Sequence, residues 1–252
     1  MVQMIRTISV IGGRGAMGRR FVDMFRAQGL TVRSFDSSDG EMDYAAAAAA
    51  DVVVLAVPIR CFEEVVVKLG PHTRKDGLVA DITSVKELPV KIMLNHCRGE
   101  VLGGHPLFGP AEKNLEGQIF FLCPARLGNL TTRFKSLLKR LKFRIIVLTA
   151  AEHDRQMSIV QSLRHMMMAG FGATIAKFGD AGQLVNVGDW FGRLKELRDR
   201  QASQSAELFA DIALNNPHSR EVFDEFAAAV ERLKNALDKN DRKEMIELMK
   251  SI

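Results

Sequence analysis

The sequence predicts an open, mostly parallel α/β domain at residues 1–150, joined to an all-helical domain at residues 151–252. Up to residue 150, short apolar, β-branched segments alternate with segments of helical period, as in parallel sheets whose faces are covered by helices. Beyond that residue the strand patterns cease, and every segment has a helical period. This change of pattern places the domain boundary.

The predicted strands are short, and the segment 51–58 (DVVVLAVP) has the continuous apolar run of a strand that is buried on both faces. The first predicted helix, 16–30, places apolar residues at a helical period and closes at Gly29. The alanine run 45–50 also predicts a helix. The other predicted strands lie at 7–13, 31–36, 77–84, 117–125 and 144–150, and from residue 100 onward. The other predicted helices lie at 61–69, 88–96, 131–141 and about 151–178.

The composition is ordinary for a globular protein, with 47% hydrophobic and 26% charged residues among 252. No apolar run approaches the roughly 18–20 residues that span a bilayer, and the N-terminus lacks the pattern of a signal peptide. We therefore expect a cytoplasmic protein that does not bind membranes.

Three widely spaced cysteines fit neither a disulfide framework nor a metal site. The basic segments 133–144 and 193–200 are interpreted as solvated helix faces rather than a nucleic-acid surface, and the net charge of +5 suits a small anionic ligand.

A glycine-rich loop follows the first predicted strand in the segment VIGGRGAMGRRF, residues 10–21. Gly13, Gly15 and Gly18 fit the pattern G-x-G-x-x-G between a strand and a helix, which is typical of a dinucleotide site. The absence of side chains allows a pyrophosphate to reach backbone N–H groups at the start of the helix. The predicted cofactor-binding residues of this loop are Gly13, Arg14, Gly15, Ala16, Met17 and Gly18.

An acidic residue, Asp36, ends the second predicted strand, where its carboxylate can accept hydrogen bonds from a ribose 2′-hydroxyl. A 2′-phosphate beside this carboxylate would be repelled, so the sequence favours NAD over NADP. Arg14 and Arg33 are close in sequence and leave NADP as the alternative.

A histidine, His105, lies in a glycine- and proline-rich segment, GGHPLFGP, which we expect to be a rigid loop after a strand. At that edge of the sheet its imidazole can accept the proton of a substrate hydroxyl while a hydride leaves the carbon that bears this hydroxyl. Ser84 ends the preceding strand at the same edge. The pattern favours two roles for Ser84 equally: orienting the substrate hydroxyl or His105, and capping the helix that follows.

A helix over 152–168 places Gln161 and His165 four positions apart, on one face. Arg164 is expected to point about 100° away from that face, as the helical period dictates. The run Met166–Met168 is interpreted as adaptable core rather than as a ligand site.

The segments VIGGRGAMGRRF, AVPI, DITSVKELP, GGHPLFGP and EHDRQMSIVQSLRHM together resemble the prephenate dehydrogenase family of tyrosine biosynthesis. The resemblance runs from about residue 7 to 245, and its most specific parts are the HPLFGP and EHD…QxLRH segments. It implies an N-terminal Rossmann domain and a C-terminal helical domain that forms an intertwined homodimer. It also implies oxidation of prephenate or arogenate with NAD or NADP, with loss of carbon dioxide as the ring becomes aromatic.

The same resemblance implies roles for individual residues. His105 matches the catalytic histidine that bonds the ring hydroxyl, and Ser84 matches a serine that helps to hold it. His165 matches a histidine of the substrate pocket, and Gln161 shares its face. Arg200 matches an arginine that binds a substrate carboxylate, with Arg193 as the alternative. The segment AVPI adds Val57 and Pro58 to the predicted cofactor-binding residues.

The segment NVGDWFGR, residues 186–193, replaces the family's proline-tyrosine-arginine pattern. This difference keeps arogenate and an amino-substituted prephenate open as substrates. We expect neither a chorismate mutase domain nor a regulatory ACT domain, and hence no second activity and no tyrosine feedback through a separate domain. A β-hydroxyacid or imine reductase is a more distant alternative, although its lysine is represented here only by the late Lys177. A non-catalytic NAD sensor is the other alternative.

Overall fold

The computed structural model describes residues 4–178 and 188–250. The chain divides into two compact units, Met1–Arg155 and Gln156–Ile252. The boundary lies beyond the predicted residue 150 because His153 and Asp154 are buried and form hydrogen bonds within the first unit.

The first unit contains a seven-stranded sheet in the order β2-β1-β3-β4-β5-β6-β7. Strands β1 to β5 are parallel, β6 is antiparallel to β5, and β7 is parallel to β6. The prediction of a mostly parallel sheet is therefore confirmed. The strands are β1 (Thr7–Ile11), β2 (Thr31–Phe35), β3 (Val52–Leu55), β4 (Leu78–Asp81), β5 (Glu100–Pro106), β6 (Ile119–Arg126) and β7 (Arg144–Val147). The helices are α1 (Ala16–Ala27), α2 (Tyr44–Ala48), α3 (Ile59–Leu69), α4 (Glu87–His96) and α5 (Asn129–Arg140).

The sheet is buried on both faces because successive side chains of a strand point to opposite sides. In β3, Val52 and Val54 belong to one apolar cluster, whereas Val53 and Leu55 belong to the other. The strand order reverses at β1, which has β2 on one side and β3 on the other. In open α/β sheets, ligands bind at the carboxyl ends of the strands around such a reversal. The fold therefore places the glycine loop at the position where open α/β sheets bind their ligands.

In the second unit, all secondary-structure elements of the described residues are helices, joined by short turns. Helix α6 (Ala150–Met157) continues through a π-helical segment, Ser158–Leu163, into α7 (Arg164–Phe178), so the predicted helix over 151–178 contains one wider turn. The remaining helices are α8 (Gly188–Ala202), α9 (Ala206–Asn215), α10 (Ser219–Asp238) and α11 (Arg242–Lys250). Residues 188–193 of the altered segment begin α8, and residues 186 and 187 lie outside the described residues. Across 4–178 and 188–250, no helix combines the length and apolarity that crossing a membrane requires.

Candidate active site

The glycine loop joins β1 to α1 and leaves the start of that helix open to an anion. Gly15 is the N-cap of α1, and no side chain among the described residues caps it. The first turn contains no acidic residue, so its N–H groups keep the partial positive charge of a helix N-terminus. Such a terminus binds phosphate groups. Ala16 and Met17 begin α1, and Arg14 lies in the loop before its N-cap; their contact with the pyrophosphate of a dinucleotide stays a prediction.

Two of the motif glycines are closely packed within the turn. A Cβ atom on Gly18 would overlap the backbone carbonyl oxygen of Gly12, so glycine is required there, and one on Gly13 would overlap the hydroxyl of Ser34, which would have to rotate away. At Gly15 the nearest atom to an added Cβ would be 3.2 Å away, so this position has more room. Gly15 is therefore the motif glycine that best fits close approach by a ligand.

Val57 and Pro58 lie beside this loop, at the end of β3. An added Cβ on Gly12 would come within 3.2 Å of Val57 Cγ1, and Pro58 is the N-cap of α3. Both residues are thus placed at the edge of the sheet that carries the glycine loop.

Asp36 directly follows β2, and its carboxylate accepts a hydrogen bond from the Arg14 backbone N–H at 3.1 Å. It also accepts from the backbone N–H of Ser38 at 3.1 Å and from its hydroxyl at 2.8 Å. Partial burial raises the pKa of Asp36, but these hydrogen bonds outweigh burial and leave the pKa below its usual value. The carboxylate is therefore ionised at neutral pH and adjoins the glycine loop, as a ribose-binding residue must.

His105 lies within β5, which corrects the expectation that it belongs to a loop. Pairing with β6 carries β5 as far as Pro106, and His105 is opposite Phe121 in that pairing. The imidazole of His105 is 2% exposed and stacks on Phe121 with ring centroids 6.2 Å apart. Burial, together with the charges of His153 and Lys86, holds the pKa of His105 well below its usual value. The imidazole is therefore neutral at pH 7 and able to accept a proton.

A chain of buried hydrogen bonds connects His105 to two residues of α6. His105 Nδ1 lies 2.8 Å from His153 Nε2, and His153 Nδ1 lies 2.8 Å from Asp154 Oδ1. Both His153 and Asp154 are fully buried. Sequence reasoning assigned no role to either residue, although both lie in the EHD segment that contributes to the family resemblance.

A second buried group, an ion pair between Lys86 and Asp81, contacts Gly104, the residue that precedes His105. The Lys86 ammonium contacts the Asp81 carboxylate and donates to the carbonyl oxygen of Gly104 at 2.7 Å. The Gly104 N–H in turn donates to Asp81 Oδ1 at 3.2 Å. Both polar groups of the residue before His105 are thereby bound. The segment DITSVK contains both charged residues, but their pairing was not predicted.

Ser84 is half-buried in the turn between β4 and α4. Its alternative role as a helix cap is wrong, because the N-cap of α4 is Lys86. Asp154 performs the capping, since its two carboxylate oxygens accept from the N–H groups of Lys86 and Glu87 at 2.7 and 2.8 Å. Within the described residues, no hydrogen bond joins Ser84 to His105, and the role of Ser84 at a substrate hydroxyl stays a prediction.

In the helical unit, His165 is 4% exposed and accepts a hydrogen bond at Nε2 from Arg164 Nη2, 2.6 Å away. Arg164 begins the regular helix α7, and its side chain is long enough to reach the ring of its neighbour. Because Nε2 accepts, the hydrogen of the neutral ring is on Nδ1, which is buried without a hydrogen-bond partner among the described residues. This N–H is suited to a ligand oxygen.

Helices α7, α8 and α9 enclose a cavity of about 470 Å³ that His165 lines. Arg198, Gln201 and Gln204 supply its polar lining, and most of the other lining residues are apolar. Arg200, in the last turn of α8, does not line this cavity. The pKa of Arg164 is lowered mainly by burial and, to a smaller extent, by the positive charge of Arg200. Arg200 is therefore close to Arg164. The other predicted residues of this unit are Gln161, buried in the π-helical segment, and Arg193, in the first half of α8.

His165 makes the helical unit sensitive to acid. Burial, followed by the charge of Arg164, lowers the pKa of His165 from its usual 6.5 to about 4. As the pH falls below about 6.5, the unfolded chain binds a proton that the folded chain does not, so stability decreases. We expect a loss of about 3 kcal/mol by pH 4 from this group. In urea unfolding at pH 7 and pH 4, His165→Gln should lose correspondingly less stability than the wild type.

The control for this measurement is His72→Gln, which changes a histidine on the surface. An equal loss of stability between pH 7 and pH 4 in the wild type and in His165→Gln would contradict the assignment of His165 as a buried neutral group.

Two family models match this chain, one in each of its two parts. The family model described as the nucleotide-binding domain of prephenate dehydrogenase matches residues 25–147, and the model of its dimerization domain matches residues 149–251. The chain belongs to the prephenate dehydrogenase family. The family resemblance predicted from the sequence is thereby confirmed, as is the fold of a nucleotide-binding domain followed by a helical one.

Individual relatives extend this comparison. The chain is 30% identical to a probable arogenate/prephenate dehydrogenase of Methanocaldococcus jannaschii over 97% of its own length and 59% of the relative. It is 30% identical to the T-protein of Haemophilus influenzae over 96% of its own length and 65% of the relative. The chain thus spans about three fifths of these relatives. The structure of prephenate dehydrogenase from Aquifex aeolicus, in complex with hydroxyphenyl propionate and NAD+, has a TM-score of 0.77 at 22% identity and covers 100% of this chain and 97% of its own.

Proposed function

We propose that this protein is an oxidoreductase that converts prephenate to 4-hydroxyphenylpyruvate and carbon dioxide, with hydride transfer to NAD, in tyrosine biosynthesis. The observation that carries the proposal is the placement of a buried, neutral histidine on the sheet that carries the glycine loop. His105 lies near the carboxyl end of β5, and the loop follows the carboxyl end of β1. Because β1 to β5 are parallel, both belong to one edge of the sheet.

The proposed reaction matches what these groups can do. The nicotinamide, when bound, supplies the acceptor for the hydride. His105 receives the proton of the ring hydroxyl as the carbon that bears it loses hydride, so that a C=O bond forms. The bond from the ring to its carboxylate then breaks, carbon dioxide leaves, and the electron pair of that bond moves through the ring to the carbonyl oxygen. That oxygen takes the proton back from His105, so that the aromatic product carries a hydroxyl and the imidazole is neutral again. Aromatisation makes the step effectively irreversible, and Ser84 is proposed to orient the hydroxyl.

Residues of the helical unit are proposed to bind the anionic substrate. Arg200 is proposed to pair with a carboxylate, because a guanidinium offers two parallel donors in the geometry of a carboxylate. Arg193 is the alternative. His165, through the buried Nδ1–H, and Gln161 are proposed to contact the substrate as well. The position of Arg200 close to Arg164 supports this assignment, because two cations in one region suit a substrate with two carboxylates.

NAD is the proposed cofactor, and the ionised carboxylate of Asp36 beside the glycine loop supports it. Arg14, which could pair with the 2′-phosphate of NADP, forms an ion pair with Asp39 instead. Arg33 lies over the ring of Phe35, 5.6 Å from its centroid. Neither arginine replaces Asp36 at the position where the ribose is expected.

Replacing Asp36 is expected to weaken NAD binding and reduce discrimination against NADP. Asp36→Asn removes the charge that accepts the ribose hydroxyls, and hydrogen bonds to charged groups contribute about 1.5–3 kcal/mol. The KM for NAD should therefore rise by about 10-fold to 100-fold, with the ratio of kcat/KM for NAD over NADP falling in parallel. Asp23→Asn, on the exposed side of α1, is the matched control. An unchanged cofactor ratio in Asp36→Asn would exclude Asp36 from the ribose site.

Arogenate and an amino-substituted prephenate are the alternative substrates, because the altered segment 186–193 distinguishes this chain from the pattern expected of the family. The experiment that tests the proposed function follows formation of the reduced cofactor by absorbance, with prephenate and arogenate each supplied with NAD and with NADP. Rapid reduction of NAD with prephenate is the expected result. Activity on arogenate alone would change the substrate and keep the mechanism, and inactivity on both substrates by protein that binds NAD would refute the proposed reaction.

A homodimer formed through the helical unit is also proposed. The match to a dimerization domain supports it, and so do large apolar side chains on the surface of this unit. Trp190 is 88% exposed and Leu214 is 84% exposed. Exposed apolar groups of this size, when they cluster, mark interaction surfaces. Sedimentation equilibrium tests this proposal, with twice the chain mass of 28.0 kDa as the expected result.

A further inference from the structure

His153 and Asp154 form a buried line of hydrogen bonds with His105, and the direction of each bond can be assigned. Asp154 Oδ1 accepts from the backbone N–H of Lys86 at 2.7 Å, and Oδ2 accepts from that of Glu87 at 2.8 Å. A carboxylate that receives backbone N–H groups at both oxygens is an acceptor. His153 Nδ1, 2.8 Å from Oδ1, must therefore carry a hydrogen and donate it.

The remaining bond follows from the tautomer of His153. Burial lowers the pKa of His153 and outweighs the opposing effect of Asp154, so the ring is neutral at pH 7. A neutral imidazole with its hydrogen on Nδ1 has a lone pair on Nε2. His153 Nε2 accepts from His105 Nδ1, 2.8 Å away. His105 Nδ1 thus carries the hydrogen of its ring, and His105 Nε2 carries the lone pair.

We propose that Asp154 and His153 are positioning residues that hold His105 in the tautomer with a bare Nε2, ready to accept the hydroxyl proton of the substrate. This inference rests on the proposed function of His105. It adds that the general base is prepared from α6, through two residues that need not touch the substrate. The same arrangement of carboxylate and imidazole orients the base in serine proteases.

The charges around the line favour its neutral form. His105 and His153 both face the ammonium of Lys86, which opposes a positive charge on either ring. Asp81 pairs with that ammonium, and Asp154 accepts a hydrogen bond from His153. Phe121 closes the apolar side, with its ring centroid 6.2 Å from that of His105 and 5.3 Å from that of His153. We therefore expect His105 to take up a proton during the reaction and not when the substrate binds.

The experiment measures the tautomer directly, in protein without substrate. Long-range ¹H–¹⁵N correlation of ¹⁵N-histidine protein separates protonated from bare ring nitrogens, and the chain has only six histidines. The variants His105→Asn and His153→Gln assign the two sets of signals by their loss. We expect His105 to show a protonated Nδ1 and a bare Nε2, and His153 to show a protonated Nδ1. A protonated Nε2 on His105 would overturn the proposal, whatever the activity of the protein.

Two variants of His153 separate positioning from packing. His153→Phe keeps a ring of similar size but has no acceptor for His105 Nδ1–H, so the bare-Nε2 tautomer should lose its dominance. In His153→Gln the amide oxygen can replace Nε2 as an acceptor, and the tautomer should persist. The kcat of His153→Phe should fall by about 10-fold to 10⁴-fold. The upper limit is the loss that a wrong tautomer causes in a serine-protease triad. KM should change little, and His153→Gln should recover most of the kcat.

The control is Phe121→Leu, which removes a ring contact from both histidines but none of the hydrogen bonds. Its His105 signals should match those of the wild type. An unchanged tautomer in His153→Phe would overturn the proposal, and so would equal losses of kcat in His153→Phe and His153→Gln. If His153→Phe does not fold, the tautomers of the wild type and of His153→Gln still decide the question. Because the spectra need no turnover, a chain that fails to oxidise prephenate can still confirm or refute the line of bonds.

Discussion

Replacing His105 by Asn is expected to lower kcat by about 10²-fold to 10⁴-fold, the usual contribution of a general base. His105 is the buried neutral imidazole on the sheet edge that carries the glycine loop, and Asn cannot take up a proton at pH 7. Asn is also smaller than histidine and polar, so it fits the position with limited disturbance. The measurement is steady-state kinetics with saturating NAD and prephenate, accompanied by the Kd for NAD.

The affinity for NAD should remain unchanged, because the predicted cofactor contacts come from the glycine loop and Asp36 rather than from β5. His96→Asn is the matched control, since His96 is exposed at the end of α4. A kcat of His105→Asn within a few-fold of the wild type would remove His105 from the chemistry. A large loss of NAD affinity would show instead that the substitution disturbs the whole sheet edge.

Replacing Lys86 by Met is expected to lower the free energy of unfolding by about 3–5 kcal/mol, the usual cost of removing one member of a buried ion pair. Lys86 and Asp81 are both fully buried. Without the ammonium, the Asp81 carboxylate loses its counter-charge in a region without water access, and the carbonyl oxygen of Gly104 loses its donor. Urea unfolding at pH 7 measures the loss.

Lys68→Met is the matched control, because Lys68 pairs with Glu64 on the surface of α3, with side chains 53% and 70% exposed. Exposed pairs of this kind contribute little to stability, because solvent screens the two charges. The double variant Lys86→Met/Asp81→Asn removes both charges and should recover part of the loss. A cost for Lys86→Met no greater than that for Lys68→Met would show that the buried pair is not needed for stability.

The two largest effects differ in how far the sequence anticipated them. His105 was singled out from its setting in GGHPLFGP; its placement in a loop was wrong, and its catalytic role stays a prediction. The antiparallel partner β6 extends β5 through His105, and this pairing depends on residues about 15–20 positions further along the chain. Lys86 and Asp81 were both visible in DITSVK, but nothing in a period or a propensity says that two charges five positions apart will be buried together.

The sequence by itself determined the order and type of the elements, because apolar period and β-branched runs are local properties. It also determined the glycine loop and Asp36, since both follow strands whose positions are local. The tertiary structure alone decided the direction of β6 and the line from Asp154 through His153 to His105. His105 and His153 are 48 positions apart, and their contact depends on strand register and on how α6 docks. Such contacts arise from long-range packing, which leaves no periodic trace in a single sequence.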